Sequence, residues 1–209
     1  MPTGAIDIET PHGPARAHLR PAGAARGALV LGHGAGGGGV ESRDIVAAAD
    51  VASEEGLAVA LIEQPYRVAG RRSPAPARQL DAAWTAVLGR LGDDELAGLP
   101  LIVGGRSLGA RVACRTAEAV GAVAVLCLAF PLEPPRRAGA PPRSRLDELD
   151  AVTVPTLVVQ GDRDPFGMPP PGPRREVVRV AGDHGLRSDL GAVAGAVRGW
   201  LSGVLAPAR

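Results

Sequence analysis

Leu101 to Ala113 reads LIVGGRSLGARVA, an apolar run of strand character that passes directly into a stretch of helical character. At the join stands Gly105-Arg106-Ser107-Leu108-Gly109, a G-x-S-x-G pentapeptide. The pentapeptide is common by chance, so its surroundings decide its meaning. A strand that turns sharply into a helix lifts the residue at the turn above the sheet, where a serine hydroxyl is exposed for attack. Such a turn is strained and crowded, and glycine on either side removes the side chains that would clash. The following helix aims its first amides at the same spot and favours developing negative charge. Ser107 is therefore the candidate nucleophile; the structural alternative is a serine that only caps the helix.

Working outward, apolar extended runs alternate with segments of helical period, which predicts a mostly parallel sheet covered by helices on both faces. Before the elbow, Leu29–Gly32 reads as a strand and about Asp44–Glu55 as a helix, with Ile45, Ala48, Ala49 and Ala52 on one face. Leu57–Ile62 is the next strand, QPYRVAGRRSPAP a loop, and Pro76–Leu91 an amphipathic helix aligning Leu80, Trp84, Val87 and Leu91. Pro100–Val103 leads into the elbow, and Leu108–Ala119 follows it as a helix rich in small residues. Then come a strand at Ala122–Leu128, a proline-rich connection over Pro131–Val152 with one short helix near Arg145–Leu149, and strands at Thr156–Gln160 and Glu176–Val180. A last helix is expected over Ser188–Leu201, capped by Ser188, with Leu190, Val193, Val197 and Trp200 facing the core. No repeat or linker divides the chain, so residues 1–209 are expected to form one domain.

Composition narrows the partners. The net charge is +1, which gives no reason to expect nucleic acid or an anionic membrane. All 23 basic residues are arginine, a pattern of codon usage more than of function. The start, MPTGAIDIETPHG, lacks the basic end and apolar stretch of a secretory signal. The longest apolar run, Ala122 to Phe130, is far too short for a membrane span. Cys114 and Cys127 read as small core residues in a reducing cytoplasm. His12, His18, His33 and His184 are scattered without ligand spacing, so no metal or organic cofactor is expected.

A serine hydroxyl attacks only when a histidine takes its proton, and the histidine needs a carboxylate to hold its tautomer. In elbow-type sites the acid and then the histidine follow the serine along the chain. After Ser107 there is one histidine, His184, in AGDHGLR between the last predicted strand and the final helix. VVQGDRDPFG offers Asp162 and Asp164; Pro165 and Gly167 would turn the chain and aim Asp164 at His184, while Asp162 caps the turn or pairs with Arg163. Asp183 adjoins His184 and is expected to point away from it. His33-Gly34-Ala35-Gly36-Gly37, after the first core strand, reads as an oxyanion loop whose glycines let backbone amides approach a charged oxygen. The amides of Ala35 and Leu108 are the candidates, and His33 is a hydrogen-bonding strut. A phosphate cradle is the rival reading of this loop, but the Lys-Ser/Thr of a P-loop and dinucleotide-type glycine spacing are both missing.

With these residues placed, the chain resembles a branch of the α/β-hydrolases. That branch holds small bacterial hydrolases, the testis-expressed hydrolase-like proteins and the hydrolase-like subunit of the eukaryotic NSL histone-acetyltransferase complex. LGHGAGG, QPYRVAGRRSP, VGGRSLGARVA, CLAFPLEPP, LVVQGDRDPFG and the histidine of GDHGL carry the resemblance from Leu31 to His184. It implies an α/β-hydrolase fold without a large cap and a site of Ser107, Asp164 and His184. Dienelactone hydrolases are more distant in this comparison, since their nucleophile is cysteine. Gln64 departs from the pattern, standing where relatives tend to carry an aromatic residue.

The expected activity is hydrolysis of a small ester or thioester through an acyl-enzyme. A non-catalytic interaction scaffold and an acyltransferase using the same groups are the alternatives. Tyr66, Phe130, Leu132, Phe166, Met168 and Leu186 flank the expected site in sequence and are the candidates to line an apolar pocket. Arg67, Arg71, Arg72 and Arg106 would either select an anionic substrate or form structural ion pairs, with Glu63 the expected partner of Arg106.

Overall fold

A computed structural model describes residues 4–36, 38–134 and 143–206. Gly37 of the glycine-rich loop and residues 135–142 of the proline-rich connection lie outside the described residues. The elements run β1 (Gly4–Ile8), β2 (Ala15–Arg20), β3 (Ala28–Gly32), α1 (Arg43–Glu54), β4 (Ala58–Glu63), α2 (Pro65–Val68) and α3 (Ala77–Asp93). They continue with β5 (Leu101–Arg106), α4 (Leu108–Thr116), β6 (Ala124–Leu128), α5 (Leu146–Asp150), β7 (Thr156–Gly161), β8 (Arg175–Val180) and α6 (Leu190–Val204). Among the described residues one sheet contains all eight strands, in the order β1-β2-β4-β3-β5-β6-β7-β8. From β4 to β8 every pairing is parallel, and β1–β2 and β2–β4 are antiparallel.

Strands buried on both faces read as continuous apolar runs, and their alternation divides the core. In β3, Ala28 and Val30 belong to one core cluster and Leu29 and Leu31 to the other. α3, α4 and α5 cover the first face, with Leu80, Trp84, Val87 and Leu91 of α3 buried against it. α1 and α6 cover the second, through Ile45, Ala48, Ala49 and Ala52 and through Val193, Val197 and Leu201. Each large apolar side chain so buried contributes about 1.5–3 kcal/mol. Among the described residues only α5 stands between β6 and β7, and they contain no large cap domain.

Some expected boundaries shift. α4 ends at Thr116, not Ala119, and α2 occupies part of the expected loop after β4. In α6 the cap is Asp189, not Ser188: its carboxylate accepts the Ala192 N–H at 2.8 Å, a charged acceptor against the helix's positive end. Leu201 takes the core position expected of Trp200, which is half-buried. Among the described residues no helix is long and apolar enough to cross a membrane.

The strand order reverses beside β3: β4 lies on one flank and β5 on the other. A sheet of this kind opens a crevice beyond the carboxyl ends of the strands at that reversal. The loop after β3 and the turn after β5 both end there.

Candidate active site

Ser107 is the turn itself. Its backbone sits at φ 52°, ψ −105°, a conformation that costs a non-glycine residue about 1–3 kcal/mol. The Ser107 N–H donates to the Leu128 carbonyl at 2.9 Å, so the strained residue is pinned to the neighbouring strand β6. The glycines on either side answer to β3. A side-chain carbon on Gly105 or on Gly109 would run into the Gly32 carbonyl oxygen. Only bare backbone lets β5 and the start of α4 pass that close to β3.

The serine hydroxyl lies 2.9 Å from Nε2 of His184, and Nδ1 of His184 lies 2.8 Å from Oδ2 of Asp164. Three side chains from three loops thus form one continuous hydrogen-bonded line. Asp164 is the carboxylate that meets His184, and its side chain is 1% exposed. Asp162 instead accepts the Gly182 N–H at 2.8 Å and lies 4.0 Å from Arg163. Asp183 accepts the Gly185 N–H at 2.8 Å within its own exposed loop. The histidine loop can close over the end of β7 because Gly161 is bare there: a Cβ would sit 2.5 Å from the Asp183 carbonyl.

Two further groups fix this line. Phe166 presents its ring edge-on to His184, with centroids 4.5 Å apart and planes at 68°. Gln160, fully buried in β7, turns its NH2 toward three acceptors, Asp164 Oδ2 at 2.8 Å, the Gly167 carbonyl at 2.9 Å and the Phe130 carbonyl at 3.1 Å, which share its two hydrogens. Its own Oε1 is buried without a partner, so this orientation is dictated by the three acceptors around the NH2. Gln160 is not among the site residues expected from the sequence. Its signal was a polar side chain inside the otherwise apolar run LVVQG.

The glycine loop follows β3 past the serine; a Cβ on Gly34 would lie 3.6 Å from that of Ser107. His33 is the strut that shapes it. Its Nδ1–H donates to the Gly34 carbonyl at 2.7 Å, and its Nε2 accepts the Gln64 N–H at 3.1 Å, so both ring nitrogens are used and the ring is neutral. Burial pushes the His33 pKa down from its ordinary value, in keeping with that neutral form. The Tyr66 ring packs against it edge-on, with centroids 5.7 Å apart. Ala35 is half-buried in the loop, and Leu108 is the first residue of α4, where amides have no intrahelical partner.

The expected apolar pocket is corrected in three of its six members. Phe130 and Leu186 are fully buried, in opposite core clusters, and Tyr66 is 4% exposed beneath the loop. All three pack into the framework, Phe130 and Leu186 with no exposed surface and Tyr66 with almost none. Leu132, Phe166 and Met168 remain partly exposed, and Leu132 adjoins Gly167. The expected Arg106–Glu63 pair is also corrected. Arg106 Nε donates to Asp44 Oδ2 at 3.1 Å and Nη2 to the His184 carbonyl at 2.8 Å, while Glu63 meets His18 at 3.2 Å. Arg71 and Arg72 are exposed and Arg67 is half-buried.

A family profile described as an α/β-hydrolase domain matches residues 25–172. No curated protein matches the sequence. An α/β serine hydrolase without lid from Xanthomonas campestris superposes with a TM-score of 0.77 at 20% identity, over 100% of this chain and 99% of that one. Est1E from Butyrivibrio proteoclasticus gives 0.78 at 18% identity, over 98% and 100%. Dienelactone hydrolase from Anabaena variabilis gives 0.73 at 18%, over 96% of each. At such identities these structures establish the common fold, and the family profile establishes descent: the chain belongs to the α/β-hydrolase domain family.

Proposed function

We propose that the protein is a serine hydrolase that cleaves a small ester or thioester through an acyl-enzyme on Ser107. The observation that carries this reading is the unbroken line from Ser107 Oγ through both nitrogens of His184 to Asp164. His184 Nε2 takes the hydroxyl proton as Oγ attacks the acyl carbon, and Asp164 holds the proton on Nδ1 and offsets the charge that forms on the ring. The backbone amides of Ala35 and Leu108 are the donors for the oxyanion. His184 then passes its proton to the leaving oxygen or sulfur. In the second half, His184 takes a proton from water as its oxygen attacks the acyl carbon, then returns that proton to Ser107 Oγ as the ester bond breaks and the acid leaves.

The partly exposed apolar surfaces of Leu132, Phe166 and Met168 favour a small acyl group over a charged one. Est1E, which shares the fold, has been solved with ferulic acid bound, and this supports an ester of a small carboxylic acid as the substrate. Buried free thiols at Cys114 and Cys127, with sulfurs 3.5 Å apart, support placement in the reducing cytoplasm. The test is a screen of p-nitrophenyl esters and acyl-CoA thioesters by chain length, run beside Ser107→Ala. Turnover of short acyl chains that vanishes in the variant is expected. Equal rates in the two proteins would overturn the proposal.

A further inference from the structure

We propose that Arg106, the residue before the serine, is a positioning residue that sets the distance between nucleophile and base. This rests on the reading of Ser107 and His184 given above. Arg106 closes β5, so its backbone is continuous with the elbow. Its guanidinium reaches the main chain of the base, donating from Nη2 to the His184 carbonyl at 2.8 Å. From Nε it donates to Asp44 in the first turn of α1 at 3.1 Å. Its Nη1 lies against the glycine loop, 2.9 Å from where a Cβ on Gly34 would stand. One rigid, planar group therefore touches the segments carrying the nucleophile, the base and the oxyanion loop.

Three physical points favour a role in the reaction. The Ser107–His184 hydrogen bond is broken and remade in each turnover, because the proton it carries is the one transferred. The Arg106–His184 bond involves a carbonyl and no transferred proton, so it persists through the cycle and keeps the ring in reach. The guanidinium has no need of a substrate anion: its side chain is 14% exposed and already paired with Asp44, itself 1% exposed. The pair is neutral as a whole, so it fixes the base without opposing the positive charge that forms on the imidazole. Finally, the fork geometry matters. A lysine ammonium is a point donor on a flexible stem and cannot span Asp44 and the His184 carbonyl in fixed directions.

The test compares Arg106→Lys, Arg106→Ala and Arg115→Ala in the full chain, with Ser107→Ala as the reference for no chemistry. Arg115, two turns along α4, makes a two-point pair with Asp81 of α3 and also reaches Glu148 at 3.4 Å, so its loss breaks at least as many contacts without touching the base. Misplacing reacting groups by about 1 Å lowers rates about 10²-fold, and both Arg106 variants are expected to lose kcat on that scale with KM nearly unchanged. Added guanidinium, below denaturing concentration, should restore kcat to Arg106→Ala in a saturable way and leave Arg115→Ala unaffected. Arg106→Lys keeps a charge opposite Asp44, so it remains informative if the alanine variant does not fold. Wild-type kcat in Arg106→Lys, or equal kcat losses in Arg106→Lys and Arg115→Ala, would overturn the proposal while leaving Ser107 as nucleophile. Activity persisting in Ser107→Ala would instead overturn the catalytic reading on which it rests.

Discussion

Replacing Asp164 by asparagine exchanges one oxygen for an NH2, and the surrounding donors determine the outcome. Oδ1 accepts from the Phe166 N–H at 2.9 Å; Oδ2 accepts from Gln160 at 2.8 Å and from His184 at 2.8 Å. Asparagine has a single acceptor oxygen, so in either orientation its NH2 faces a donor. Water cannot relieve the mismatch at a side chain 1% exposed. With the NH2 toward Phe166, one buried N–H is left unpaired, at about 1–3 kcal/mol, and His184 loses its anionic partner. With the NH2 toward His184, the ring relieves the clash by moving its proton to Nε2, and in that tautomer it cannot accept from Ser107. The first arrangement weakens the base and the second removes it, so kcat should fall by about 10²–10⁴-fold. That corresponds to about 3–5 kcal/mol of barrier. Asp162→Asn is the matched comparison, because its Oδ1 accepts a single N–H, from Gly182, and an amide oxygen can do the same. Initial rates on a p-nitrophenyl ester, with urea midpoints to confirm folding, decide between them. The reasoning fails if Asp162→Asn loses as much as Asp164→Asn, or if Asp164→Asn stays near wild type.

Gly109→Ala places a methyl against the Gly32 carbonyl and 3.0 Å from the His33 carbonyl, neighbours that are backbone and cannot swing away. It should destabilise the fold by about 1–3 kcal/mol in urea titration, and an unchanged midpoint would contradict the close approach of β3 and α4. Gln160→Leu removes the donor shared by Asp164 and two carbonyls, so both kcat and the urea midpoint should fall; a drop in stability alone would mean that Asp164 is held by Phe166 and His184 without it. His33 has a lowered pKa in the folded state, so its contribution is complete above its ordinary value of 6.5 and is lost as pH falls below that value, where the unfolded chain takes up the proton first. Urea midpoints from pH 7.5 down to about 5.5 should decline more steeply for wild type than for His33→Gln, and parallel slopes would refute this.

The elbow and the meeting of Ser107, His184 and Asp164 were legible because each depends on local chain chemistry: a glycine-flanked serine between strand and helix, one histidine after it, and a proline-glycine turn after Asp164. The two-sided apolar strands likewise announced the parallel sheet. β1 and β2 were not read, because GAIDI and ARAHLR bury small residues such as Ala15 and Ala17 and show little hydrophobic contrast. The pocket failed for a different reason. Nearness in sequence to the site does not say whether a side chain points out or back into the sheet's packing, and Phe130 and Leu186 point back. The partner of Arg106 was misassigned because Glu63 and Asp44 stand at the ends of neighbouring elements. Only the tertiary arrangement brings α1, and not β4, to the guanidinium.

The most direct measurement is the mass of the protein after exposure to a fluorophosphonate, which reacts with an activated serine and forms a stable adduct. One adduct is expected, on the peptide containing Ser107, absent in Ser107→Ala and much slower to form in His184→Ala. A protein that stays unmodified, or that is modified at another serine while Ser107 remains free, would contradict the assignment of Ser107 as an activated nucleophile.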